Sequence, residues 1–178
     1  MPSYYIALLR GINVGANPLR MEHLRQLLAG QGFADVRTYL QSGNVLLSAK
    51  GGAAEVAARI EKSVSEATRL PVSVIVRTPA QIERLIAANP FAEEAAALPR
   101  TVHVTFLAAP ASKAGLAAVG RLEAGADRWH AAGSEIYLHC PHGYGRSKLA
   151  NTALERALGL KATTRNWSTV VALQAMGA

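Results

Sequence analysis

The chain has 178 residues, half of them hydrophobic and 17% charged, which is a globular composition rather than a disordered one. Cys140 is its single cysteine, which excludes an intramolecular disulfide and a cysteine-rich zinc site. Lys and Arg total 19 against 12 Asp and Glu, so the net charge is +7 and anions are the favoured partners.

A chain of this length buries roughly 70% of its unfolded surface and needs no metal to hold a core. No run of about 18 apolar residues is present, so no membrane partner is expected. The start, Met1-Pro2-Ser3, lacks the basic and apolar regions of a signal peptide. These features predict a cytoplasmic protein.

Tyr4 to Leu9 is an apolar run that reads as a buried strand, and Gly11 to Pro18 as a loop. Met21, Leu24, Leu27 and Leu28 recur at helical spacing, with Gly30 and Gly32 as the stop. Strands at Val36–Leu40 and Val45–Ser48 flank a turn at Ser42-Gly43-Asn44. Val56, Ile60 and Val64 share one helix face, and Val72 to Val76 is a β-branched strand. The order β-α-β-β-α-β is the ferredoxin-like pattern. Both faces of Tyr4–Leu9 are apolar, so something must cover the face its own helices leave open.

Residues 78–100 read as a helical bridging segment, broken at Asn89-Pro90-Phe91. The second half then repeats the first. Val102–Leu107 is a strand, Lys113–Val119 a helix, Arg128–Ala131 and Glu135–His139 a hairpin, and Ser147–Leu158 a helix. The closing strand is missing or altered, and Thr164 to Met176 reads as a helix, with a strand at Thr169–Val171 as the alternative. The expected fold is therefore α+β: two ferredoxin-like units at 1–77 and 101–178, the second incomplete with a C-terminal helix. Segment 78–100 and the helix around Trp167 are expected to pack on the first unit, leaving a cleft between the halves.

Three polar clusters stand out. Arg10-Gly11-Ile12-Asn13-Val14-Gly15 follows a strand, where glycines let backbone N–H groups approach an anion. It is neither a Walker sequence nor a dinucleotide fingerprint. The topology brings this loop beside the hairpin turn, so that Arg10, Asn13, Ser42 and Asn44 form one polar group. Alternatively Ser42 and Asn44 serve the turn itself.

The second cluster is His142-Gly143-Tyr144-Gly145-Arg146-Ser147-Lys148, leading into a helix. Arg146 offers a fork and Lys148 a point charge for phosphate, in a place where cations are otherwise disfavoured. Alternatively Ser147 is an N-cap and the cations are solvated. The third cluster is Thr163-Thr164-Arg165-Asn166-Trp167, read as a helix start with a Thr cap and Trp167 in the core.

Other chemistries find less support. Trp129, Ile136 and Leu138 share one hairpin face, and Arg128, His130, Glu135, Tyr137 and His139 share the other. His103 and Thr105 are assigned to the same polar side as the second group. Without a close metal-ligand spacing no metal site is expected, and no cofactor motif is present. No GxSxG occurs, and Cys140 reads as a small buried residue. RNA stacking needs aromatics that Asn44–Ser48 lacks.

Four stretches carry a family resemblance: Ala7–Gly15, Gln41–Val45, Gly145–Leu149 and Thr163–Val170. They resemble a bacterial family of uncharacterised proteins, the domain of unknown function numbered 1697. The resemblance implies a two-part α+β fold and no particular activity. At Ala16-Asn17-Pro18 the sequence departs from the Gly and Lys usual in that family, which removes a lysine from the loop.

The expected function is binding of a phosphorylated small molecule or nucleotide in a basic cleft between the two units. Its contacts are Arg10, Gly11, Asn13, Gly15, Ser42, Asn44, Gly145, Arg146, Ser147, Lys148, Arg165 and Asn166. Sequence-independent nucleic-acid binding through a basic face is the alternative. An enzyme of unidentified reaction is a further alternative, with Ser42, His142 and Ser147 as the side chains to mutate first. A monomer is expected, with a homodimer as the alternative.

Overall fold

The computed structural model describes residues 1–13 and 18–177. It is a mixed α+β structure with two four-stranded antiparallel sheets and, among the described residues, seven α-helices. Contacts cluster into two units, Met1–Arg84 with Leu173–Ala178, and Leu85–Ala172.

The first unit runs β1 (Ser3–Arg10), α1 (Met21–Gly30), β2 (Ala34–Tyr39), β3 (Asn44–Ala49), α2 (Ala53–Thr68) and β4 (Ser73–Arg77). Its strands lie in the order β2-β3-β1-β4. Period-two alternation sends Tyr5, Ala7 and Leu9 of β1 into a core built with Leu24 and Leu28 of α1 and Val56, Ile60 and Val64 of α2. Each of these large side chains contributes about 1.5–3 kcal/mol by leaving water. The other face is buried too, since Ile6 and Leu8 have no exposure. α2 stops where Arg69 turns left-handed (φ 57°), and Pro71 forbids its resumption.

α3 (Pro79–Ala87) follows β4 directly. Thr78 and Gln81 cap it reciprocally: the Gln81 N–H donates to Thr78 Oγ1 (3.2 Å) and the Thr78 N–H to Gln81 Oε1 (2.8 Å).

The second unit holds α4 (Ala92–Ala97), β5 (Val102–Leu107), α5 (Lys113–Val119), β6 (Arg128–Ala132), β7 (Glu135–His139), α6 (Asn151–Leu158) and β8 (Ala162–Asn166), followed by α7 (Trp167–Gly177). Its strand order, β6-β7-β5-β8, repeats that of the first sheet. The second unit is therefore not incomplete. β8 pairs antiparallel with β5 from Leu107↔Ala162 to His103↔Asn166. The β-branched pair Thr163-Thr164 serves a strand rather than a helix cap. The cap of α7 is Asn166, whose Oδ1 accepts the Ser168 N–H at 3.0 Å. Residues 168–173 are helical, and Trp167 is buried as expected.

The register corrects a second expectation. His103 lies opposite Leu138 and Thr105 opposite Ile136, so both share the face of the apolar hairpin residues. That face packs under α5 and α6, with Leu107, Val119, Leu149, Leu154 and Leu158 in its core. Tyr137, on the other face, is buried, and its hydroxyl donates to the Leu85 carbonyl (2.8 Å).

Candidate functional site

The first cluster is assembled at one end of the first sheet, as the topology requires. The Leu9 N–H donates to the Gly43 carbonyl (2.8 Å), and Asn13 Nδ2 donates to the Gln41 carbonyl. Loop and hairpin turn are thus neighbours. Asn44 is buried, and its Nδ2 donates to the Tyr39 carbonyl (2.9 Å) and Ser42 Oγ (2.8 Å). These amides tie the turn together. Gly11 (φ +88°) lies where a Cβ would sit 2.9 Å from the Pro71 carbonyl. Arg10 ends β1, half-buried, opposite Ser73. Gly15 lies outside the described residues.

In the second unit two expected helix-terminus sites are corrected. α6 begins at Asn151, not Ser147, so Arg146 and Lys148 precede the helix by several residues. Ser147 Oγ accepts the Leu149 N–H (3.0 Å), closing a local turn instead of capping a helix. α6 has Ala150 at its N-cap, which offers no side-chain acceptor. The Tyr144 hydroxyl substitutes, accepting the Asn151 N–H at 2.8 Å. Arg165 does not start a helix. It sits in β8 opposite Val104, buried, donating to Thr163 Oγ1 (2.7 Å) and the Thr164 carbonyl (3.0 Å). Burial pulls its pKa down to about 10. Alternation turns Asn166 to the opposite face, beside His103.

Under the 143–148 turn lies a polar group that local sequence reasoning did not assemble. The His103 and Tyr144 rings stack, and Thr164 Oγ1 bonds both Thr105 Oγ1 (2.8 Å) and Asn151 Oδ1 (3.1 Å). Burial pulls the His103 pKa down to about 4, opposed by a weaker upward pull from the Thr101 carbonyl. That carbonyl already accepts the Cys140 N–H at 2.7 Å, and His103 Nδ1 is buried with no hydrogen bond. Cys140 is fully buried, and burial raises its thiol to about 11, which disfavours the thiolate. Among the described residues no three of His, Cys, Asp and Glu converge as metal ligands.

Beside this turn lies an open cavity of about 460 Å³. Its polar lining is Glu123 and Asp127 from one connection and His142, Gly143, Arg146 and Lys148 from another. Connection lengths explain why it exists here. In the first unit the corresponding segments, α1 to β2 and β3 to α2, are 31–33 and 50–52, three residues each. In the second unit α5 to β6 is 120–127 and β7 to α6 is 140–150, eight and eleven residues. Both lengthened connections contribute to the cavity wall. Glu123 and Asp127 were not singled out from the sequence, although this difference in spacing was there to be read.

A two-sheet α+β fold with a loop-built polar cavity defines the structural class. A family model described as "Protein of unknown function (DUF1697)" matches residues 2–137, and the chain belongs to that family. No curated protein matches. Among solved structures, the conserved bacterial protein SP0830 from Streptococcus pneumoniae is similar. It shares 22% identity with a TM-score of 0.74, covering 99% of each chain, a likeness in fold. No helix among the described residues is long and apolar enough to cross a membrane.

Proposed function

We propose that the chain binds a phosphorylated small molecule or nucleotide, and that the cavity of the second unit holds the anion. The observation that carries this reading is the meeting of the two lengthened connections at one cavity, with Arg146, Lys148 and His142 on one wall. Loops that outgrow what a fold needs are where binding residues concentrate. The guanidinium of Arg146 suits two phosphate oxygens, and Lys148 adds a point charge. Gly145 supports the reading further. Its φ is not positive and nothing lies within 4 Å of where a Cβ would stand, so the fold makes no demand for glycine there. A glycine leaves the backbone N–H groups open to a ligand.

The test is a thermal-shift and titration panel of ATP, pyrophosphate and glucose 6-phosphate. At least one is expected to bind, and Arg146→Ala to weaken it by about 1.5–3 kcal/mol. No shift with any probe at millimolar concentration would defeat the reading. Retention on single- or double-stranded nucleic acid that collapses with salt would favour the basic-face alternative.

A further inference from the structure

The charges lining the cavity are sorted by connection. The 120–127 segment contributes the carboxylates Glu123 and Asp127, and the 140–150 segment contributes His142, Arg146 and Lys148. Among the described residues these five side chains make no hydrogen bond or ion pair. The two rows face one cavity without bridging it. A plain anion seated on Arg146 and Lys148 shares that cavity with two carboxylates, whose field opposes it. A guest with a cation at its far end satisfies both rows at once.

We infer that the ligand of this cavity is dipolar, a phosphorylated small molecule that also carries an amine, with its phosphate toward Arg146 and Lys148 and its ammonium toward Glu123 and Asp127. The inference rests on the anion-binding reading and narrows it to a substrate class. The cationic row alone would select any phosphate. The acidic row supplies discrimination, because an ammonium gains a charged partner there while a hydroxyl in the same place does not. The volume suits a guest of this kind, since small-molecule sites commonly span about 300–1,000 Å³. Asp127 is half-buried and Glu123 exposed, so the charge of Asp127 is the less screened of the two.

The experiment is calorimetric titration of the full chain with glucose 6-phosphate, glucosamine 6-phosphate and glucosamine. Glucosamine 6-phosphate is expected to bind about tenfold more tightly than glucose 6-phosphate. In the Glu123→Gln, Asp127→Asn double variant the two phosphates should fall within about twofold of each other. Glucose 6-phosphate should gain affinity there, because a repulsive charge pair is gone. Arg146→Ala should weaken both phosphates together. Equal binding of the two phosphates by the native chain overturns the dipolar ligand and leaves the anion reading standing. A preference that survives in the double variant also overturns it. If neither sugar phosphate binds the native chain, this inference fails, while the anion reading falls only if ATP and pyrophosphate also fail to bind. Glu123→Gln alone provides the comparison should Asp127→Asn lower the melting temperature.

Discussion

The imidazole of His103 lies against the phenol ring of Tyr144, with centroids 4.7 Å apart and planes 24° from parallel. One partner sits in the central strand β5. The other belongs to the turn that carries Arg146 and Lys148. The contact therefore joins the sheet to the cavity wall, and its energetics are open to measurement through the titration of His103.

Stability should depend on pH through this histidine. Its folded pKa is about 4 because burial disfavours the cation, while the unfolded chain titrates near 6.5. Below 6.5 the unfolded chain takes up a proton that the folded chain refuses. The contribution of His103 is thus fully present above pH 6.5 and is lost as pH falls toward 4. At about 1.4 kcal/mol per unit, the loss approaches roughly 3 kcal/mol. Urea melts of native chain and His103→Gln at pH 7.5 and 4.5 isolate it. The native chain should lose more than the variant on acidification, and an equal loss would show that the imidazole titrates normally.

Substitution separates the ring contact of Tyr144 from the hydrogen bonds of its hydroxyl. Tyr144→Phe keeps the ring on His103 but removes the acceptor of the Asn151 N–H, leaving the first turn of α6 uncapped. A lost cap costs about 0.5–2 kcal/mol. Tyr144→Leu removes the ring contact as well and opens His103 to water. Imidazole NMR titration should find the His103 pKa still low in the Phe variant and raised toward 6.5 in the Leu variant. A low value in both would mean that burial of His103 does not depend on this ring.

Legibility of the sequence followed the range of the interactions involved. Elements shaped by their own periodicity were readable: β1 from its apolar run, α1 and α2 from four-residue spacing, the hairpin from its Gly-centred turn. So was the pairing of loop and turn at Asn13 and Gln41, because chain order dictates it. β8 was not, because Thr163-Thr164 fits a helix cap as well as a strand, and pairing with β5 decides. The face of His103 depended on a cross-strand register that its own strand does not encode. The start of α6 was misplaced because its cap comes from Tyr144, seven residues upstream, outside the usual capping range. Of the cavity, the cationic wall was visible as a run of residues, whereas Glu123 and Asp127 lie on a separate loop. Their part shows only when the two units are compared connection by connection.

Two glycines should respond oppositely to alanine, and the contrast separates a glycine needed by the fold from one the fold does not need. Gly43 has φ +79°, and a Cβ there would stand 2.6 Å from Ile12 Cδ1 and 3.0 Å from Leu9 Cβ, both in the core. Left-handed backbone costs a non-glycine residue about 1–2 kcal/mol, and the clash adds to it. Gly43→Ala should lose about 2–3 kcal/mol, a fall in melting temperature of roughly 4–12 °C. Gly145 meets neither constraint. Gly145→Ala restricts the unfolded chain and should leave the melting temperature unchanged or raise stability by up to about 1 kcal/mol. Its effect should appear in ligand binding, where a methyl group stands between backbone and phosphate. Calorimetry of Gly145→Ala with whichever probe binds the native chain supplies the check. Unimpaired binding in a fully folded variant would assign Gly145 no part in the site, whereas weakened binding without loss of stability is the signature of a glycine kept for its ligand.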